Sequence, residues 1–151
     1  RLKLPVTTIV GDATTFVPEK TPDAILLDAP CSSTGTLRRH PDVAYLKSQA
    51  DVDKLTELQS RLLDAAARML EPHGQLVYSV CSLQPEEGEA RIADLLKRDP
   101  SLERETIRPI EVGGLTELIN PQGDIRTLPF HLGGMDGFYA ARLRKISTGI
   151  T

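Results

Sequence analysis

The sequence predicts an α/β fold with a mainly parallel sheet, and three observations carry that prediction. Short β-branched or apolar runs recur along the chain. A long amphipathic helical stripe separates two of them. The order strand, helix, strand, helix, strand is that of a parallel sheet with right-handed crossovers.

Taken in order, Val6-Thr7-Thr8-Ile9-Val10 is β-branched and stops at Gly11-Asp12, which predicts a first strand. Asp23 to Asp28 has a continuous apolar centre, the pattern of a strand buried on both faces, and Pro30 ends it. From Asp51 to Leu70, apolar residues at Val52, Leu55, Leu58, Leu62, Ala66 and Met69 make one helical stripe. Pro72 and Gly74 stop it. Gln75 to Val80 is the next strand and runs into Cys81 and Ser82. A second helix is expected from about Pro85, with Glu86, Glu87 and Glu89 as acids at its positive end and Ile92, Leu95 and Leu96 on its buried face. Lys97 and Arg98 close it before Pro100. Leu102 to Ile107 is a weaker strand. A Gly/Pro-rich stretch with Gly113-Gly114, Pro121, Gly123, Pro129 and Gly133-Gly134 predicts a long functional loop. Phe138 to Leu143 is the last strand.

In a parallel sheet, ligands bind at the carboxyl ends of the strands. Asp12, Asp28 with Cys31, and Cys81 each fall just past such an end, so the fold alone gathers them on one edge.

The composition narrows the function. The 151 residues suit one domain, 1–151, and the balance of 40% hydrophobic to 26% charged residues is that of a globular protein. Trp is absent and aromatics reach only 4%, so the core must be aliphatic. No apolar run approaches the roughly 20 residues of a membrane span, and no export signal opens the chain, so a cytoplasmic protein away from membranes is expected. A net charge of −3 argues against a free-standing nucleic-acid binder and leaves room for a catalytic module that takes its RNA grip from elsewhere. Cys31 and Cys81 are too few for a disulfide scaffold and should be free thiols. His40, His73 and His131 show no metal-ligand spacing, so no metal is expected. A chain that opens on Arg1 reads as a fragment.

Two motifs carry the chemistry: Asp28-Ala29-Pro30-Cys31-Ser32-Ser33-Thr34-Gly35 and Tyr78-Ser79-Val80-Cys81-Ser82-Leu83-Gln84-Pro85-Glu86-Glu87. Together they resemble the RNA cytosine-C5 methyltransferases, in particular the bacterial group that modifies small-subunit ribosomal RNA. Arg38-Arg39-His40-Pro41-Asp42 and Met135-Asp136-Gly137-Phe138-Tyr139-Ala140 extend the likeness, which runs from about Val6 to about Lys145. The resemblance implies a partial class I (Rossmann-like) methyltransferase sheet with its first two strands missing. The glycine-rich cofactor loop and an upstream RNA-binding region would lie ahead of Arg1, since no Gly-x-Gly or Pro-Gly-Gly-Lys occurs here. Val80 replaces the Thr the family usually has before its nucleophile, and Gly88 replaces an Asn.

The resemblance also implies roles. Cytosine C5 is a poor nucleophile until a thiolate adds at C6, so the chemistry needs an activated cysteine. The residue types alone do not rank the two thiols; the family pattern makes Cys81 the nucleophile and Cys31 the group that aids product release. Asp28 would meet the cytosine edge near N3 and offset charge developing there. S-adenosylmethionine would be the cofactor, with Asp12 at its adenine and Asp28 and Pro30 beside it. Arg38 and Arg39 would hold phosphates of the substrate RNA, expected to be 16S rRNA.

Each assignment has a plainer counterpart. Asp12 and Asp28 could simply close turns, Arg38 and Arg39 could be a solvated pair, and Phe138 and Tyr139 are better read as core than as base-stacking residues. The rival functions are an inactive half-domain, a transfer-RNA enzyme, a DNA cytosine methyltransferase and a redox dithiol protein. The second cysteine motif argues against the DNA enzyme, and the lack of Cys-x-x-Cys against the dithiol protein. A sheet lacking two strands would also expose an edge, through which self-association is expected.

Overall fold

The computed structural model describes residues 4–147, so Arg1, whose place at the head of the sequence suggested a fragment, lies outside them. Five strands form one sheet: β1 (Ala24–Asp28), β2 (Gln75–Val80), β3 (Leu102–Arg104), β4 (Ile125–Thr127) and β5 (Phe138–Lys145). The helices are a short α1 (Val43–Leu46), the long α2 (Gln49–Met69) and α3 (Glu89–Arg98). The sheet order is β1-β2-β5-β3, with β4 also paired to β5.

α2 begins two residues before the apolar stripe suggests because Ser48 and Asp51 cap each other reciprocally, each side chain bonding the other's backbone N–H. Its fully buried residues include Val52, Leu62, Leu63, Ala66 and, unexpectedly, Gln59. α2 packs on β1 and β2, and α3 packs on α2 and β3. Alternate residues of β2 (Leu76, Tyr78, Val80) and of β5 (Tyr139, Ala141, Leu143) meet Leu63, Leu70, Ile92 and Leu95 in the core.

Three expectations are corrected. The sheet is not mainly parallel: only β1 and β2 pair in parallel, from Ala24 opposite Gln75 to Asp28 opposite Ser79. β5 runs antiparallel to β2, β3 and β4. A parallel return needs a crossover, usually a helix. The stretch between β3 and β5 holds no α-helix, only single 3-10 turns and β4. The chain therefore re-enters the sheet from the edge where it left and runs backwards.

The second correction concerns β1, which is not buried on both faces. Ile25 and Leu27 pack against the core, whereas Leu26 on the other face is 72% exposed. The third concerns Val6 to Val10, which forms no strand: the segment pairs with no neighbour among the described residues, and its apolar side chains are exposed. β propensity without a ladder to join does not make a strand.

One consequence of this topology governs the rest. Because β1 and β2 are parallel and β5 is antiparallel, the C-terminal ends of β1 and β2 and the start of β5 lie on the same edge.

Candidate active site

Both cysteines sit on that edge. Cys31 follows β1 by three residues and Cys81 follows β2 directly. Their sulfurs are 3.5 Å apart, and both are free thiols, partly buried. The Cys81 Sγ also lies 3.6 Å from Ser33 Oγ. Ser33 adopts a left-handed backbone (φ 60°), which a non-glycine residue seldom does and which turns the chain sharply past Cys31. Burial pushes the Cys31 thiol up to about 12; the Cys81 sulfur and the Glu87 charge add to the rise, while a backbone hydrogen bond at Ser33 opposes it.

Three backbone segments close around the cysteines. Gly35 N–H donates to the Cys81 carbonyl at 3.1 Å, and Gly137 N–H donates to the Gly35 carbonyl at 2.8 Å. A Cβ on Gly35 would run into the Gly137 carbonyl and press on that of Cys81, so only glycine fits. On the far side Arg126 Nη1 donates to the Ser82 carbonyl at 2.7 Å and pairs with Glu89. Gly88, the departure from the family's Asn, lies where a Cβ would crowd Arg126 and the Tyr139 ring.

Asp28 ends β1 on the open face of the sheet. Its Oδ1 accepts from Ser79 Oγ at 3.0 Å, and its other oxygen has no protein donor among the described residues. Pro30 is held from behind, its carbonyl accepting from Gln59 Nε2 at 2.9 Å.

Asp12 stands apart from this cluster. Its carboxylate accepts from the Thr14 N–H at 2.8 Å and the Thr14 hydroxyl at 2.7 Å, and these bonds lower its pKa. The turn borders a hollow of about 300 Å³ between residues 14–21 and α2, lined by Ala65, Arg68 and Met69 but by neither cysteine. Arg38 and Arg39 are exposed and face Asp136: Arg39 Nε donates at 2.7 Å, while Arg38 approaches only to 3.8 Å. Phe138 is half-buried and Tyr139 fully buried, in keeping with the core reading.

Glu87 was expected among the acids of a helix start, yet α3 begins only at Glu89, and Glu87 is fully buried in the turn before it. Its Oε1 accepts from the Ser32 N–H at 2.9 Å and from Gln59 Nε2 at 3.1 Å. Its Oε2 accepts from the hydroxyls of Ser32 and Ser82, both at 2.5 Å. Sequence reasoning missed Glu87, Ser32, Ser82 and Gln59. The available signal was that Ser32 and Ser82 each directly follow a cysteine.

Among the described residues, no helix is long and apolar enough to cross a membrane, and no group of three or more His, Cys, Asp or Glu side chains is arranged to hold a metal ion.

A family model described as 16S rRNA methyltransferase RsmB/F matches residues 1–144. Ribosomal RNA small subunit methyltransferase B of Thermus thermophilus is 40% identical over 140 residues, which is 91% of this chain and 32% of that protein. The crystal structure of PH0851 superposes with a TM-score of 0.79 at 30% identity, covering 91% of this chain and 30% of the other. NSun6 from Pyrococcus horikoshii, solved with SFG, gives 0.64 at 26% identity over 80% of this chain and 29% of the other. The chain thus spans about a third of the length of the proteins it matches.

Proposed function

Because the chain belongs to the 16S rRNA methyltransferase RsmB/F family, we propose that it carries the catalytic cysteine pair of an S-adenosylmethionine-dependent RNA (cytosine-C5) methyltransferase acting on 16S rRNA in the cytoplasm. The observation that carries this reading is the 3.5 Å separation of two free thiols at the sheet edge that also bears Asp28. A pair of thiols beside a carboxylate suits attack on a pyrimidine ring.

The Cys81 thiolate adds to C6 of the target cytosine, forming a C–S bond and moving the C5–C6 π electrons toward the N3 edge. Asp28, with one oxygen steadied by Ser79, shares a proton with that edge and offsets the developing charge. C5 is now nucleophilic and takes the methyl group that the sulfonium of S-adenosylmethionine supplies. A base then takes the C5 proton, the electron pair left behind re-forms the C5–C6 double bond, and the C–S bond breaks to release Cys81 as thiolate.

Cys31 serves this last phase. Its sulfur lies 3.5 Å from that of Cys81, beside the C–S bond that must break.

The residues present suit the cofactor. Asp12 and Asp28 are exposed carboxylates, each with an oxygen that has no protein donor among the described residues, as acceptors for an adenine amine and a neighbouring ligand require. Pro30 would shape the wall between them. The solved relative NSun6, with SFG, an S-adenosylmethionine analogue, supports S-adenosylmethionine as the cofactor. Arg38 and Arg39 supply positive charge for RNA phosphates at the mouth of the site.

The test is methyl transfer from labelled S-adenosylmethionine to 16S rRNA by the full-length enzyme, with the product nucleoside identified by mass. 5-Methylcytidine formed by the wild type and absent with Cys81→Ala is the expected result. Methylation at another atom, or undiminished activity of Cys81→Ala, would overturn the proposal.

A further inference from the structure

The buried carboxylate of Glu87 has no part in the chemistry above, yet it touches both cysteine-bearing turns. Ser32 and Ser82 each follow a cysteine, and both donate their hydroxyl protons to the same oxygen, Oε2. Ser32 adds its backbone N–H, and Gln59 adds an amide N–H from α2. Gln59 reaches the Pro30 carbonyl from the same amide nitrogen, so the anchor extends to the residue before Cys31.

The direction of these bonds is fixed by elimination. Ser82 Oγ already accepts from the Gln84 N–H at 3.0 Å, so its single proton is free to point at Glu87. Thr34 Oγ1 likewise accepts from the Leu83 N–H at 3.0 Å, leaving its own proton for the neighbouring serine oxygens. Four donors converge on one carboxylate, a group whose two oxygens can accept them all. Tyr78 closes the assembly from the strand side, its hydroxyl donating to the Glu87 carbonyl at 2.6 Å. Glu87, Ser32, Ser82 and Gln59 are all buried, and a buried carboxylate that accepts four hydrogen bonds holds its partners in one geometry.

We infer that Glu87 is a positioning residue: it clamps the turn after β1 to the turn after β2 and thereby sets the spacing of the Cys31 and Cys81 sulfurs. This inference deepens the proposed function and rests on it for its catalytic meaning, but the clamp is measurable without RNA. A glutamine at 87 keeps the shape and loses the match, because its amide nitrogen brings two protons to the place of a carboxylate oxygen that accepts hydrogen bonds.

The measurement is the equilibrium of the Cys31–Cys81 dithiol with a glutathione redox buffer, in which glutathione disulfide accepts the two electrons and the two thiol protons and becomes two molecules of glutathione. A disulfide needs its sulfurs about 2.05 Å apart, so the equilibrium reports how closely the turns hold the pair. Glu87→Gln should shift it toward the dithiol at least tenfold, about 30 mV. Ser82→Ala, which removes one of the four bonds, should shift it the same way by at least threefold, and serves if Glu87→Gln does not fold. Leu143→Ala, a core truncation toward the other end of the strands, should leave it unchanged within twofold, which separates the clamp from general loss of stability. An equilibrium unmoved in folded Glu87→Gln or Ser82→Ala, or moved toward the disulfide, overturns the clamp. If the equilibrium moves as expected but Cys81→Ala retains methyl transfer, the clamp stands and the functional reading fails.

Discussion

Gly35→Ala is the substitution whose consequence follows most directly from the packing. Gly35 lies at the point where the turn after Cys31, the turn after Cys81 and the approach to β5 touch through their backbones. An added methyl would meet the Gly137 carbonyl, which cannot swing aside as a flexible side chain would. Overpacking of this kind costs about 1–3 kcal/mol. Relieving it means opening one or both of the Gly35 to Cys81 and Gly137 to Gly35 hydrogen bonds, at about 1 kcal/mol each. The expected loss is about 3 kcal/mol, read as a lower urea midpoint at unchanged slope. Because the same contacts hold the cysteine turns together, methyl transfer by the full-length enzyme should fall with it. A loss below about 1 kcal/mol would refute the reasoning, since it would mean the three backbones do not touch as described.

Two further predictions concern surface electrostatics and the open edge. Glu111 accepts from Arg142 and from the Arg108 N–H, and these partners lower its pKa to about 2. A depressed carboxyl contributes stability that is present above its unfolded value of about 4.3 and is lost as pH falls toward the folded one. Glu111→Gln should therefore flatten the acid limb of a stability profile between about pH 4.5 and 2, and an unchanged limb would contradict the assignment. Among the described residues β1 is paired on one side only, and it presents Leu26 on its open face. Sedimentation at rising concentration should show this chain dimerising, and Leu26→Lys should restore the monomer; monomer alone at high concentration would remove the edge from consideration.

What the sequence made legible is what period and spacing encode. The α2 stripe, the β2 run and the terminal strand all appear where the pattern of apolar residues puts them. The shared edge of Cys31 and Cys81 was legible because it needs only that β1 and β2 be parallel, and they are. The direction of β5 was not read correctly, although the lack of a helical stripe between Leu102 and Phe138 was the available clue. The exposure of Leu26 and the unpaired Val6 to Val10 segment depend on which neighbours a strand finds, and propensity does not record that. Glu87 was hidden by its company: beside Glu86 and Glu89 it looks like one more acid at a helix start, and only the fold shows Ser32 and Ser82 turned toward it. Gln59 was hidden in the same way, a polar residue on a helix face that the stripe marks as apolar.

The central claim, that Cys81 attacks the base and Cys31 releases it, is tested most directly by denaturing electrophoresis of full-length variants incubated with 16S rRNA and S-adenosylmethionine. The account predicts that Cys31→Ala accumulates a protein–RNA band that survives denaturation, while Cys81→Ala yields neither that band nor methylated RNA. A covalent band with Cys81→Ala and none with Cys31→Ala would reverse the two roles and contradict the account.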